Sequence, residues 1–284
     1  MGVTKTAIVA VSGGVDSVVL LDMLAKKADR KLIVAHFDHG IREDSAEDAR
    51  FVGELADAYG LTYEMRRENL GANVSEAVAR ERRYAFLYEL ANKYGGTIVT
   101  AHHGDDVIET MAINLTRGTG WRGIAVFDSV IERPLLDMNK QAIIDYAGEH
   151  HLEWHEDSTN SDQKYLRNKI RAKIRETMSD DVKRQLGALW WTQCELKRQI
   201  DAEITSFVQP SGMYDRYTLT FAGDDVSEEM LRAFIVARAK QSPTRPQTKR
   251  ALLAVKTAKP GTIHEVGDRV RLRFTRTAFV VETL

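Results

Sequence analysis

The 284-residue chain has one cysteine, Cys194. A lone thiol excludes an internal disulfide, a Cys-x-x-Cys redox pair and a thiolate metal cage. No apolar stretch approaches the length of a membrane span. The first residues, Met1-Gly2-Val3-Thr4-Lys5-Thr6, run into a short apolar segment without the h-region and cleavage site of a secretory signal. These absences point to a reduced, cytoplasmic protein with no membrane partner. There is no internal repeat, no low-complexity tract and no excess of one charge. Lys+Arg is 40 and Asp+Glu 41, for a net charge of −1. Taken alone, that balance argues against a nucleic-acid partner, because phosphates need clustered positive charge. What is present, 29% charged and 43% hydrophobic residues, belongs to a globular chain of one large domain or one medium and one small domain.

The first half alternates strand-like and helix-like segments. Thr6–Val11, Leu32–Phe37, Leu61–Met65 and Thr97–Ala101 read as strands. Val15–Lys27, Ser45–Tyr59, a long segment capped by Asn73 with Glu76 three residues later, and Asp105–Leu115 read as helices. Short strands alternating with helices predict right-handed βαβ units, a Rossmann-like parallel sheet with helices on both faces. Beyond residue 163 the pattern becomes mostly helical: Lys164–Thr177, Asp181–Phe207, Glu228–Lys240 and Gln247–Thr257. Pro243 and Pro246 break the chain between the last two. Thr262–Val266, Arg269–Arg273 and Ala278–Glu282 have β character, with Gly267-Asp268 as a tight turn. The expectation is an α/β catalytic domain over 1–180. A smaller, mostly helical domain over 181–284 ends in a β hairpin or meander.

Charge is unevenly distributed. Residues 1–163 hold 17 basic and 27 acidic residues, a net of −10. Residues 164–184 are net +5, 185–231 net −5, and 232–276, with 12 basic and 2 acidic residues, net +10. A single basic helix is usually a solvated face. The density over 232–276 instead suits an anionic polymer.

The first strand runs into Ser12-Gly13-Gly14-Val15-Asp16-Ser17 at the start of a helix. Two glycines let backbone N–H groups close on an anion, the helix start adds its dipole, and Ser12 and Ser17 add hydroxyls. Asp16 would repel phosphate unless a cation such as Mg²⁺ lay between them. The lysine of a Walker A loop is missing, and so is the GxGxxG pattern. The stretch resembles the pyrophosphate loop of the N-type ATP pyrophosphatase superfamily.

Four further stretches narrow the resemblance: His36–Arg42, Ala79–Leu87, His102-His103-Gly104-Asp105-Asp106 leading through Glu109 to Arg117, and Arg133-Pro134-Leu135-Leu136 followed by Glu156–Asn160 and Arg167-Asn168-Lys169-Ile170-Arg171. Together, over roughly residues 6–175, they resemble the tRNA(Ile)-lysidine synthetase family. From the residues alone, Asp106 and Glu109 share a helix face and suit a cationic ligand. His36, His39, His102 and His103, with no cysteine beside them, point away from a zinc site. The proline common soon after the RN..R motif is absent, which leaves that helix boundary open.

The resemblance implies a ligase using ATP and Mg²⁺. It would adenylate C2 of the wobble cytidine in an isoleucine tRNA with a CAU anticodon, then let the side-chain amine of free L-lysine displace AMP. It implies ATP contacts from Ser12, Gly13, Gly14, Val15, Asp16, Ser17 and His36, with Asp16 on the metal. Asp106 and Glu109 would hold lysine. Asp38, Asp105 and Asp106 are candidates for the proton acceptor, and Arg117 for stabilising phosphate charge. Arg167, Asn168, Lys169, Arg171 and Lys173 would meet the anticodon arm, and Arg269, Arg271 and Arg273 the tRNA body. Trp190 and Trp191 read as core rather than stacking platforms. The alternatives are another tRNA-modifying or amidating synthetase of the superfamily, or a non-catalytic nucleotide-binding module.

Overall fold

A computed structural model describes residues 5–40, 45–71, 74–155 and 166–284. The chain divides into two compact units, 1–191 and 192–284. In the first, β1 (Thr6–Ala10), β2 (Lys31–Asp38), β3 (Thr62–Arg67) and β4 (Thr97–Val99) form a parallel sheet in the order β3-β2-β1-β4. The chain leaves β1 to pair with β2 on one side and returns to pair with β4 on the other. That reversal opens a crevice at the carboxyl ends of β1 and β4, the ligand-binding position of open α/β sheets.

The central strands β1 and β2 are buried on both faces and largely apolar, whereas the edge strand β3, Thr62–Arg67, is polar and mostly unburied. Ala7, Val9, Val34 and Val99 point to the layer of α1 (Val15–Lys27), α2 (Ser45–Ala58) and α5 (Lys140–Glu149). Ile8, Ile33, Ala35 and Ile98 point to Phe86, Leu87 and Leu90 of α3 (Glu76–Tyr94). The cap of α3 is Ser75, whose side chain accepts from the Val78 amide. The expected cap, Asn73, lies outside the described residues. Gly95 ends the helix in the left-handed conformation, with φ +61°. Helix α4 (Gly104–Thr116) follows β4. Helix α5 was not anticipated. It follows an irregular stretch in which Glu132 pairs in parallel with Val99 at the sheet edge. Helices α6 (Leu166–Thr177) and α7 (Asp180–Thr205) complete this half of the chain, and the boundary between the units falls within α7.

Asp22 ties three helices of this layer together. Its carboxylate, 2% exposed, accepts from Tyr59 Oη in the turn just after α2 and from Tyr146 Oη of α5, both at 2.7 Å. Lys26 adds an ion pair at 2.9 Å. Burial alone would raise the Asp22 pKa, but the bonds from Tyr59, Lys26 and Tyr146 outweigh it and hold the group below its ordinary range. The Tyr146 phenol is pushed up to about 12 by burial and by Asp22. A depressed carboxyl pKa stabilises the fold above the unfolded value of about 3.9, and this stabilisation disappears as pH falls through the lower folded value. Asp22→Asn is therefore expected to cost about 2 kcal/mol at neutral pH. Urea unfolding should show the gap to the parent protein closing as pH falls below the unfolded carboxyl value of about 3.9.

The second unit folds around β5 (Met213–Asp215), β6 (Ile263–Glu265), β7 (Val270–Phe274) and β8 (Ala278–Thr283), an antiparallel sheet in the order β5-β8-β7-β6. Helices α8 (Arg216–Phe221), α9 (Asp224–Ala239) and α10 (Arg245–Thr257) accompany it, and α9 and α10 bury Leu231, Phe234, Ile235, Ala251 and Val255 with the inward residues Leu272, Phe274, Phe279 and Val281. The expected meander of three strands thus gains a fourth, β5, on β8. Pro246 does not break the chain as expected. It sits in the first turn of α10, where a missing N–H costs nothing, behind a capping box of Thr244 and Gln247. Among the described residues no helix is long and apolar enough to cross a membrane.

Candidate active site

The loop between β1 and α1 is built as its sequence suggests. Gly13 adopts φ +95°, a conformation that side chains disfavour. The amides of Ser12 and Gly13 both donate to Ser17 Oγ, at 3.1 and 3.2 Å. Ser17 Oγ donates in turn to the Gly14 carbonyl at 2.8 Å. The loop thus draws its amides around Ser17 Oγ at a helix start that no side chain caps, a geometry suited to an anion. His36, at the end of β2, lies beneath the loop with Nδ1 2.9 Å from the Val11 carbonyl. A carbonyl only accepts, so the proton sits on Nδ1 and Nε2 is an acceptor. Burial lowers the His36 pKa, which keeps the ring neutral.

Helix α4 begins at the neighbouring strand end. His103 caps it, and Asp106 completes the capping box by accepting from the His103 amide at 3.0 Å. Glu109, 3% exposed, is one turn further on. The expected shared face is present, and a cation already meets it. Arg171 of α6 donates from Nε and Nη2 to the two carboxylate oxygens of Glu109 at 2.6 and 3.1 Å, and its Nη2 lies 3.7 Å from Asp106 Oδ1. Arg171, expected to face RNA, turns inward because two carboxylates, one of them buried, demand a counter-charge. The hydrogen bond to Glu109 raises the Arg171 pKa further.

Asp105 points the other way. Its Oδ2 accepts the Lys140 amide at 2.8 Å, fastening the start of α5 to that of α4. Lys140 Nζ lies 2.5 Å from Asp16 Oδ1 in the phosphate loop, and His103 Nε2 lies 4.0 Å from the same oxygen. Lys140 was not anticipated. The one signal for it was an Asn139 helix start ahead of Ile143 and Ala147.

Other expected residues are spread more widely. Asp38, 4% exposed, accepts from the Gly40 amide at 2.8 Å and pairs with Arg67 at 3.3 Å. His102 is driven down to about 3, first by burial and then by Arg133, Arg80 and Arg83 against the pull of Asp106. It is therefore neutral, with Nδ1 2.9 Å from Thr100 Oγ1. Arg117 follows the last turn of α4, exposed and about 16 Å along the helix axis from Asp106. Helical length thus keeps it away from the loop. Trp190 is core, with Nε1 donating to the Val126 carbonyl at 2.8 Å, whereas Trp191 is 52% exposed. Lys169 and Lys173 are exposed on α6. The side chains of Arg167 and Asn168 lie outside the described residues, as do Ile41, Arg42 and the stretch 156–160. In the second unit Arg269 is exposed, but Arg271 and Arg273 share Glu282 at 2.6 and 2.9 Å. Among the described residues no group of three or more His, Cys, Asp or Glu could hold a metal ion. Asp16 therefore fits Mg²⁺ only as a single carboxylate sharing the ion with phosphate oxygens and water.

Comparison with known proteins follows the same division. Residues 3–178 match the family model described as PP-loop domain. A tRNA(Ile)-lysidine synthase of Exiguobacterium sibiricum is 43% identical over 174 residues, which is 59% of this chain and 42% of that protein. Another, of Thermus thermophilus, is 40% identical over 173 residues, 58% of this chain and 34% of that protein. The chain thus spans about two fifths of the length of the curated relatives it matches. Among solved structures, the U34-tRNA thiolase NcsA of Methanococcus maripaludis aligns with a TM-score of 0.54 at 19% identity, over 68% of this chain and 72% of that one. That likeness concerns the fold.

Proposed function

The chain belongs to the PP-loop domain family, and on that premise we propose that it is a tRNA(Ile)-lysidine synthetase. One observation carries the reading. The glycine-rich loop and the carboxylate pair meet at His103, whose Nε2 lies 4.0 Å from Asp16 Oδ1 and 3.7 Å from Asp106 Oδ2, one helical turn from the Glu109–Arg171 pair. ATP binds with its phosphates on Ser12–Ser17, where Asp16 would hold Mg²⁺, which would supply charge neutralisation on the phosphates. His36 and the loop amides orient the nucleotide.

The C2 oxygen of the wobble cytidine of a CAU-anticodon isoleucine tRNA attacks the α-phosphorus. A P–O bond forms, the bond to the β-phosphate breaks, and pyrophosphate leaves. Asp106 and Glu109 receive the lysine side-chain ammonium. This amine has an ordinary pKa of roughly 10.4 and must shed a proton before it reacts. Asp38, Asp105 and Asp106 are the carboxylates available to accept it. The amine then forms the C2–N bond, and the C2–O bond breaks as AMP departs with that oxygen. A cytosine carbonyl is a poor electrophile, and adenylation turns its oxygen into a leaving group. Lys169, Lys173 and Arg269 are exposed cations for RNA phosphates, and Arg117 joins them better than it joins the ATP site.

The decisive test is incubation with ATP, radiolabelled lysine and bulk tRNA. Base-stable label in acid-precipitable RNA supports the reading, and its absence at every salt concentration sinks it. A second expectation concerns Glu282. Its pKa is held down to about 2 by Arg273 and Arg271. Glu282→Gln frees both guanidiniums. It should tighten RNA binding and steepen its salt dependence, read by filter binding between 50 and 200 mM salt. An unchanged slope would remove this sheet face from the RNA-binding surface.

A further inference from the structure

The phosphate loop has no lysine: Val15-Asp16-Ser17 stands where a Walker A loop carries its lysine and hydroxyl residue. The fold brings one from 124 residues away. Lys140 is the first residue of α5. Asn139 caps the helix by accepting from the Ala142 amide at 2.8 Å, and Asp105 holds the Lys140 amide at 2.8 Å. With its backbone pinned there, the lysine extends its ammonium to Asp16 in the loop at 2.5 Å.

Two points argue that this lysine does not serve the helix or brace the fold. A cation in the first turn opposes the helix dipole, which favours acidic residues there. The Lys140 and Asp16 side chains are 32% and 33% exposed, so solvent screens the pair and it adds little to the stability of the fold. The arrangement makes chemical sense at an anion site. A lysine is a compact charge on a flexible stem, able to turn between partners without moving the backbone.

We propose that Lys140 supplies the phosphate-binding ammonium that the loop lacks, resting on Asp16 and turning to the β- and γ-phosphates of bound ATP. This rests on the reading of the loop as an ATP site. When Mg-ATP arrives, the Asp16 carboxylate faces the divalent ion and the ammonium faces the phosphate oxygens. As the bond to the α-phosphorus breaks, the ammonium offsets the negative charge growing on the departing pyrophosphate. Asp105 then acts as a positioning residue, because it holds the amide from which the lysine side chain springs.

The test is calorimetric titration of the parent protein, Lys140→Met and Lys140→Arg with Mg-ATP, magnesium pyrophosphate and AMP, with thermal unfolding as the check on folding. Lys140→Met should weaken Mg-ATP and pyrophosphate about tenfold or more and leave AMP within about twofold, and Lys140→Arg should restore most of the loss. Equal weakening of all three ligands would mean that Lys140 only shapes the loop and would overturn the proposal. So would unchanged binding of all three. A parent protein that binds none of them overturns the ATP-site reading together with this one. A parent that binds ATP and pyrophosphate, with Lys140→Met no different, overturns the role of Lys140 alone.

Discussion

Glu109→Gln is expected to lower stability by about 3 kcal/mol and to abolish most lysine-dependent turnover. The stability loss follows from burial. Glu109 is 3% exposed and Arg171 spends two donors on it, at 2.6 and 3.1 Å. Removing one charge leaves the other poorly solvated, and that penalty exceeds the net worth of the pair. For a unit of this size the melting temperature should fall by about 6–12 °C. Arg171→Met alone should be comparably destabilising, since it strands the Glu109 carboxylate. The double variant Glu109→Gln/Arg171→Met should recover most of the stability, because neither charge remains to be stranded. It should not recover turnover, because the site proposed for the lysine ammonium has lost its deeper carboxylate. Urea unfolding and lysine-dependent AMP release separate the two effects. A double variant as unstable as either single variant would show that the pair is not the source of the loss. One that regained full turnover would remove Glu109 from the lysine site.

Ser17→Ala is the second large effect. Ser17 Oγ accepts the Ser12 and Gly13 amides and donates to the Gly14 carbonyl, and the residue is 4% exposed. The hydroxyl therefore shapes the loop: its one proton goes to the Gly14 carbonyl and its oxygen gathers two amides. Its loss releases the two amides and the Gly14 carbonyl that it holds, so the preorganised loop relaxes and ATP-dependent turnover should fall about 100-fold. Ser12→Ala should be milder. Ser12 is exposed, and its Oγ accepts the Gly14 amide at a long 3.4 Å. Equal effects of the two substitutions on ATP–pyrophosphate exchange would contradict this ranking.

The parts of the molecule legible in the chain were those set by neighbours in sequence. Strand, two glycines and helix start sufficed for the loop, because Gly13 needs its positive φ wherever the rest of the chain goes. The face shared by Asp106 and Glu109 follows from helical spacing alone. The turn at Gly267 was equally local. Short or irregularly connected elements were not legible. The three residues of β5 form a strand only because β8 lies beside them, and Pro246 read as a break because proline also opens helices.

By itself the sequence determined the sheet, its flanking helices and the two residue groups, loop and carboxylates, on which a function can be argued. Their spacings are local, and local geometry follows from residue type. Only the tertiary structure decided which charges meet. Arg171 turns to Glu109 rather than outward, Asp105 anchors α5, and Lys140 stands at the phosphate loop. Ion-pair partners are chosen by where burial leaves a charge uncompensated, and that depends on the packing of α4, α5 and α6 rather than on any run of consecutive residues.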